Sequence, residues 1–391
     1  MNKKTSKSKS ASPKNSARAM SRRKFLTATA ASVGGAAAIG FPSIVKAEVT
    51  TLRFQSTWPT KDIFHEYALD FARKVNDMTG GELKIEVLPA GAVVPAFGLL
   101  DAVSKGTLDG GHGVLVYHYG KQNALALWGS SPAFAMDANM LLSWHKYGGG
   151  KELLEKVYKS IGANVVSFPY GPMPTQPLGW FKKPITKVAD FKGLKFRTVG
   201  ISIDLFTGLG AAVTALPGGE IVPAMDRGLI DAAEFNNASS DRLLGFPDVS
   251  KVCMLQSYHQ NAEQFEVTFN KTKFDALPEK IRSIIAYAVE AASQDMSWKA
   301  IHRYSQDYID MQTKQGVKFY KTPDSVLQKQ LDIFDGVMAK YSAANPLFKE
   351  VIESQRKFAE RAARWQLDTQ VSARMAYNHY FGPKKPAPKK T

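Results

Sequence analysis

The chain is poor in the residue patterns that carry covalent chemistry. It has no HExxH pair for a zinc hydrolase, no GxSxG nucleophile turn and no Walker A loop. The run Gly208-Leu209-Gly210-Ala211-Ala212-Val213 begins like a dinucleotide fingerprint but lacks the third glycine, so tight helix packing is its expected role. The histidines (His65, His112, His118, His145, His259, His302 and His379) show no ligand spacing and are expected on the surface or hydrogen-bonded in the core. The single cysteine, Cys253, excludes an internal disulfide, a CxxC centre and a thiolate zinc site, and reads as a small buried hydrophobe. What stands out instead is Arg197, at the end of a predicted strand. A guanidinium there can grip a carboxylate with two parallel hydrogen bonds, or it can pair with a neighbouring acid. The residues alone leave both readings open.

The elements that would hold Arg197 follow from hydrophobic period. Residues 51–56 alternate as a strand, 62–78 carry apolar residues at helical spacing, and 82–88 alternate again. A helix over 97–105 and a buried strand over 108–116 complete a β-α-β-α-β opening, the start of an open α/β sheet. Short strands are predicted at 164–168, 179–181, 194–199, 212–215 and 232–235, with helices at 202–209 and 220–227 between them. That is a second α/β unit. Residues 264–270 alternate, 278–313 read as a long helix, and 346–380 read as one more helical pattern with no Pro or Gly inside it. At 1.5 Å per residue a continuous helix of that span is about 50 Å long, which must brace two lobes or leave the body to meet a partner; two helices with a break are the alternative. Polar residues at strand ends in such a layout suit a cleft for a small ligand. Trp58 after the first strand, Tyr117 and His118 after the third, Asn236, and Tyr258 are candidate pocket walls.

Composition narrows the class further. With 391 residues, 44% hydrophobic and 22% charged, the chain is neither disordered throughout nor a polytopic membrane protein. The net charge of +16 is concentrated at the ends. Residues 1–47 hold ten Lys/Arg and no acid, the tail holds four more lysines, and the body between them is near +2. No nucleic-acid surface follows from a charge placed in this way. Ser21-Arg22-Arg23-Lys24-Phe25-Leu26, a small-residue apolar stretch and Val45-Lys46-Ala47 read as a twin-arginine export signal cleaved before Glu48. The mature protein is therefore expected in the periplasm.

Two ordered motifs carry a resemblance. Ala189-Asp190-Phe191-Lys192-Gly193-Leu194-Lys195-Phe196-Arg197 precedes Leu216-Pro217-Gly218-Gly219-Glu220, which runs on through Asp226-Arg227-Gly228-Leu229-Ile230-Asp231-Ala232-Ala233-Glu234-Phe235. Together they closely resemble the periplasmic solute-binding subunit of TRAP (tripartite ATP-independent periplasmic) transporters, in the branch that binds 2-oxo acids and related monocarboxylates. The resemblance spans nearly all of 50–380. It implies an α/β, two-lobed periplasmic-binding-protein fold (type II-like), with two open sheets flanked by helices and a long C-terminal helix. The expected layout is a signal at 1–47, lobe I at 48–170 with returning segments at 255–300, and lobe II at 171–254. Bracing segments follow at 301–344, then the long helix at 345–381 and a basic tail at 382–391.

The resemblance also implies roles. Arg197 matches the arginine that holds the ligand carboxylate. Gln176 and Glu234 match positions that hold a metal ion against the ligand, with Phe235 donating a backbone carbonyl; Gln176 thereby also borders the ligand. Such oxygen donors suit Na⁺ or Ca²⁺. Two departures stand out. Phe235 replaces the branch's usual Trp, and His259-Gln260-Asn261-Ala262 stands where the branch often reads His-Glu-Pro-Gly. Gln260 joins the implied metal set, and in place of that acid it is expected to move the balance from calcium toward sodium or to allow no metal at all. The implied function is ligand capture by lobe closure and delivery to the small and large membrane subunits, without ATP, an organic cofactor or nucleic acid, as a homodimer. An exported metal-dependent enzyme acting on a small acid and a ligand-sensing protein are the rival readings.

Overall fold

The computed structural model describes residues 49–383; the twin-arginine segment and the lysines of the tail lie outside the described residues. The strands are β1 (Thr50–Ser56), β2 (Leu83–Leu88), β3 (Gly110–Val114), β4 (Val165–Met173), β5 (Gly179–Phe181), β6 (Lys195–Arg197), β7 (Ala212–Thr214), β8 (Ala232–Ala233), β9 (Val252–Leu255), β10 (Glu263–Asn270) and β11 (Lys318–Lys321). They form two sheets. The first has the order β2-β1-β3-β10-β4, the second β11-β9-β5-β8-β6-β7. In the first, β1 is parallel to β2 and β3, while β10 runs antiparallel to β3 and β4. In the second, β6 is parallel to β7 and β8.

Each predicted strand appears within a few residues of its expected ends. β9 and β11 were not anticipated. Both are four-residue strands at one side of the second sheet, too short for alternation to rise above the surrounding sequence. The opening helix, Ile63–Met78, shows why the pattern is readable. Asp62 caps it by accepting from Phe64 N, and Phe64, Tyr67, Ala68, Phe71 and Val75 are buried at helical spacing. Phe64 packs edge-on against Phe265 of β10, with ring centroids 4.7 Å apart. The helix is thereby locked over the strand that begins at the site.

The chain crosses between the sheets at residues 174–178 and again at 256–262, and Gln176 N donates to Gln260 O across the two crossings at 3.2 Å. The 35-residue helix Glu279–Thr313 packs on β4, on the helix Ile63–Met78 and on the helix Ala238–Leu244, and so spans both halves. Among the described residues no helix is long and apolar enough to cross a membrane.

The C-terminal pattern is corrected. The long helix runs Pro346–Thr369 and stops; a second, Ala373–Phe381, follows. Phe348, Val351, Ile352, Phe358, Ala359 and Ala363 are buried against the body, but none of the described residues after Ala363 is. Beyond that point only propensity holds the helix. Asp368, Thr369, Val371 and Ser372 are weak helix formers. Gln370 turns extended (φ −78°, ψ 129°), and Ser372 restarts the helix by accepting from Met375 N at 3.2 Å.

Candidate functional site

The C-terminal ends of the parallel strands of both sheets point at one cavity, the usual place for a ligand in open α/β sheets. Trp58 follows β1 and Tyr117 follows β3. Arg197 ends β6, Glu234-Phe235-Asn236 follow β8, Gln176 and Gln260 lie on the two crossings, and Glu263 begins β10. The cavity has a volume of about 250 Å³. It is a site for a small molecule.

Arg197 fulfils both of its open readings at once. It is 1% exposed. Nε donates to the Leu216 carbonyl at 2.8 Å, and Nη1 donates to Glu234 Oε1 at 2.8 Å and to the Glu234 carbonyl at 3.2 Å. Nη2 has no partner in the protein. The guanidinium is thus held rigid on two edges and offers the N–H groups of the third. The Phe235 ring lies 5.9 Å from its central carbon. A Cβ at Gly218 would sit 2.5 Å from that ring, so the glycine of the Pro217-Gly218-Gly219 motif makes room for it.

Three buried oxygens of the same cavity also lack a donor: Gln176 Oε1, Glu234 Oε2 and Gln260 Oε1. A buried acceptor without a partner is costly. Here they accumulate beside the free guanidinium N–H groups, which is the arrangement expected where a hard cation meets a carboxylate. Among the described residues no group of three or more His, Cys, Asp or Glu is clustered as a metal site. The donor set consists of amide and carboxylate oxygens, which fits Na⁺ or Ca²⁺ and not a soft metal. His259 Nε2, also without a partner, stands 3.9 Å from Glu234 Oε2.

Glu263 was missed at the sequence level. Its Oε2 accepts from Gln176 Nε2 at 2.9 Å and from Asn236 Nδ2 at 3.2 Å. Burial first, and the Glu234 charge second, push its carboxyl up to about 8, against the Gln176 hydrogen bond and Arg197. A cation in the cavity acts in the opposite sense. The available signal was an acid just ahead of the alternating Phe265, Val267 and Phe269.

Trp58 lines the cavity and is anchored behind it. Its Nε1 donates to His112 Nδ1 at 2.8 Å. Burial pushes His112 down to about 3, so the ring is neutral and its Nε2 proton faces the Tyr170 hydroxyl at 2.5 Å. The Tyr117 hydroxyl accepts from Gly218 N at 3.3 Å, joining the two halves; burial pushes it up to about 12 and keeps it a neutral phenol. Two candidate walls are not brought to the cavity. His118 turns inward to Glu266, 3.6 Å away, because the short helix Leu115–His118 rotates successive side chains to different sides. Tyr258 lines a separate pocket with Phe334, Met338 and Arg356.

Fold and cavity together define a two-lobed binding protein. Residues 54–344 match the DctP family, described as bacterial extracellular solute-binding protein, family 7, and the chain belongs to that family. It is 31% identical over 335 residues to a monocarboxylate 2-oxoacid-binding periplasmic protein of Nostoc sp. (strain PCC 7120), covering 84% of this chain and 90% of the relative. It resembles the crystal structure of a TRAP solute-binding protein from Bordetella bronchiseptica, a mixed-occupancy dimer with calcium and picolinate in one site (TM-score 0.79, 28% identity, 85% of this chain and 97% of that one). It likewise resembles one from Pseudoalteromonas atlantica with bound sodium and pyruvate (TM-score 0.78, 28% identity, 85% and 100%).

Proposed function

We propose that the protein captures a small 2-oxo monocarboxylate of pyruvate size in the periplasm and hands it to the membrane subunits of a TRAP-type, ion-gradient-driven transporter. The observation that carries the reading is Arg197 Nη2, buried and unpartnered beside three donor-less oxygens. The ligand carboxylate takes the Nη2 hydrogens. Gln176, Glu234 and Gln260, with the Phe235 carbonyl implied by the family resemblance, would hold the cation. A bound sodium or calcium ion offsets the desolvated carboxylate and favours acids with a second oxygen at the 2-position, through chelation. Trp58 and Phe235 exclude water. Because walls come from both halves, the acid favours the closed arrangement that the Tyr117–Gly218 hydrogen bond bridges.

The reading is binding without turnover: Arg197 Nη1 donates to Glu234 Oε1, and Glu263 Oε2 accepts from Gln176 and Asn236, so these groups position one another around the guest. Export through the twin-arginine pathway agrees with the motif at Arg22-Arg23. A homodimer agrees with the dimeric Bordetella relative and with the bare apolar end of this chain, where Trp365, Leu367, Met375, Tyr380 and Phe381 are exposed.

A thermal-shift panel on the chain from Glu48 tests the reading. A ligand at 1,000 times its Kd adds about 4 kcal/mol and moves Tm by several degrees. Pyruvate and other 2-oxo acids are expected to shift it, with acetate shifting it less, and pyruvate is expected to be recovered unchanged after incubation. The absence of a shift from every 2-oxo acid, with any cation, overturns the assignment.

A further inference from the structure

Arg197 opens a short run that faces two ways. Arg197 and Val199 border the solute cavity. Ile201, Ser202 and Asp204 turn away from it, toward the half built on the first sheet. Ile201 is buried with Leu115 and Leu125, which follow β3. Ser202 N donates to Ser130 Oγ at 2.9 Å, and Ser202 Oγ donates to the His259 carbonyl on the second crossing, also at 2.9 Å. Asp204 lies in the first turn of the helix Ser202–Gly208. Its Oδ2 accepts from the Tyr341 hydroxyl at 2.8 Å and stands 3.1 Å from that of Tyr119; its Oδ1 accepts from Lys340 Nζ at 3.0 Å. None of these partners is a backbone N–H of its own helix, so Asp204 is not a cap.

The partners of Asp204 belong to the first half. Tyr119 follows β3. Lys340 and Tyr341 lie near the end of the helix Asp324–Ala344, which starts with Val326 among Phe181 and Phe196 of the second sheet and ends with Phe334 and Val337 among Leu115, Leu125 and Trp128. Tyr119 and Tyr341 also meet hydroxyl to hydroxyl at 2.6 Å. Three oxygen contacts share two protons. The order that satisfies them is Tyr119 donating to Tyr341 and Tyr341 donating to Asp204, each bond polarising the next. Burial first, then Tyr341 and Asp204, raise the Tyr119 phenol, so it keeps its proton. Two hydroxyls and an ammonium in one half thus form a receptor for a carboxylate, and the other half supplies that carboxylate.

This receptor touches no solute, yet Asp204 stands only seven positions after Arg197. A solute that fixes Arg197 against Trp58 and Tyr117 of the first half fixes Asp204 in its receptor as well. A rotation that frees the solute must break the Asp204 bonds too.

Resting on the solute-binding reading above, we propose that Asp204 is a positioning residue that clasps the closed state: Tyr341, Tyr119 and Lys340 take its carboxylate when the halves meet on the solute, and this clasp sets how tightly and how long the solute is held.

The test uses the chain from Glu48 with pyruvate as the probe. Calorimetry gives affinity, stopped-flow tryptophan fluorescence gives the dissociation rate, and thermal unfolding gives Tm with and without pyruvate. Asp204→Asn is expected to weaken pyruvate binding about fivefold to tenfold, mainly through faster dissociation, while Tm without pyruvate stays near the wild-type value. Tyr341→Phe removes a single oxygen and serves if the first variant does not fold; it is expected to weaken binding about threefold or more. The two together are expected to cost less than the product of their separate effects, because they break one shared hydrogen bond. A carboxylate that merely stabilises the fold would lower Tm equally with and without pyruvate and leave dissociation unchanged.

Pyruvate affinity and dissociation unchanged in both variants overturn the proposal and leave the solute reading standing. A wild type that binds no 2-oxo acid overturns the solute reading. The clasp is then judged by small-angle scattering of the unliganded proteins: a larger radius of gyration in Asp204→Asn than in the wild type supports it, and an equal one overturns it.

Discussion

The cavity around Arg197 and the C-terminal arm are unsatisfied in opposite ways. Inside, polar atoms are buried without partners: one guanidinium nitrogen and three side-chain oxygens. Outside, apolar side chains are exposed without cover, from Trp365 at 68% to Leu367 at 76% and Met375 at 75%. The first deficit costs hydrogen bonds in a dry space, and only a small polar guest can repair it. The second leaves apolar surface in water, and only another macromolecular surface can cover it. One molecule thus advertises two partners of different size by two different failures of the same rules.

The most damaging way to break this contrast is Arg197→Ala. It removes the carboxylate donor and strands Glu234, whose Oε1 it holds at 2.8 Å in a fully buried pair. Loss of one partner of such a pair costs about 3–5 kcal/mol of stability. A lowered Tm with no shift by any 2-oxo acid is the expected outcome, and retained affinity would remove Arg197 from the ligand site. Gln176→Ala leaves the arginine intact and deletes one cation oxygen. Calorimetry is expected to register at least about tenfold weaker pyruvate binding, while titration in chelator shows little difference between variant and wild type.

Asp241 probes the layer beneath the cavity. Burial pushes its carboxyl from 3.8 up to about 7, against donation from Trp180 Nε1 and Asn236 N. The folded protein therefore holds a proton that the unfolded chain has already released. This group's contribution is greatest below pH 4 and is lost as pH rises from about 4 to 7, by about 4 kcal/mol. Denaturant unfolding of Asp241→Asn across that window is expected to flatten the slope in part; Asp62, raised by burial to about 6, and Glu263, raised to about 8, share what remains. An unaltered slope would mean that Asp241 is ionised in the fold.

The smallest effect on the cavity is expected from the arm. Ending the chain after Thr369 removes a helix with no buried residue. Light scattering is expected to fall from dimer to monomer mass, with pyruvate affinity changed less than about twofold. A large loss of affinity would show that the two regions are coupled.

Much of the architecture was legible because burial repeats. The helix Ile63–Met78 and the strand β10 each carry long, regular apolar patterns. The break at Gln370 was not legible: the weak formers Asp368, Thr369, Val371 and Ser372 stand there, but no Pro or Gly enforces a stop and continuous spacing up to Ala363 masked it. Within the site, Arg197 declared itself by residue type at a strand end. Gln176, Glu234 and Phe235 entered only through the family resemblance, since an amide on a crossing and an acid after a two-residue strand carry no period. His118 and Tyr258 were misplaced for the converse reason. An aromatic or imidazole near a strand end has two sides to turn to, and the sequence does not say which.

What this sequence determined by itself is the class: alternating elements in two α/β units, and an arginine within motifs long enough to mark a family. Those are local properties, written in period and order. What only the tertiary structure decided is which groups share one dry space. Glu263 meets Gln176, 87 residues earlier, and finds its room at Gly129. Arg197 spends two of its edges on Leu216 and Glu234, leaving a third free. Hydrogen bonds act over about 3 Å and charges act most strongly where water is excluded. Their partners are therefore set by how distant segments pack, and sequence separation carries no record of it.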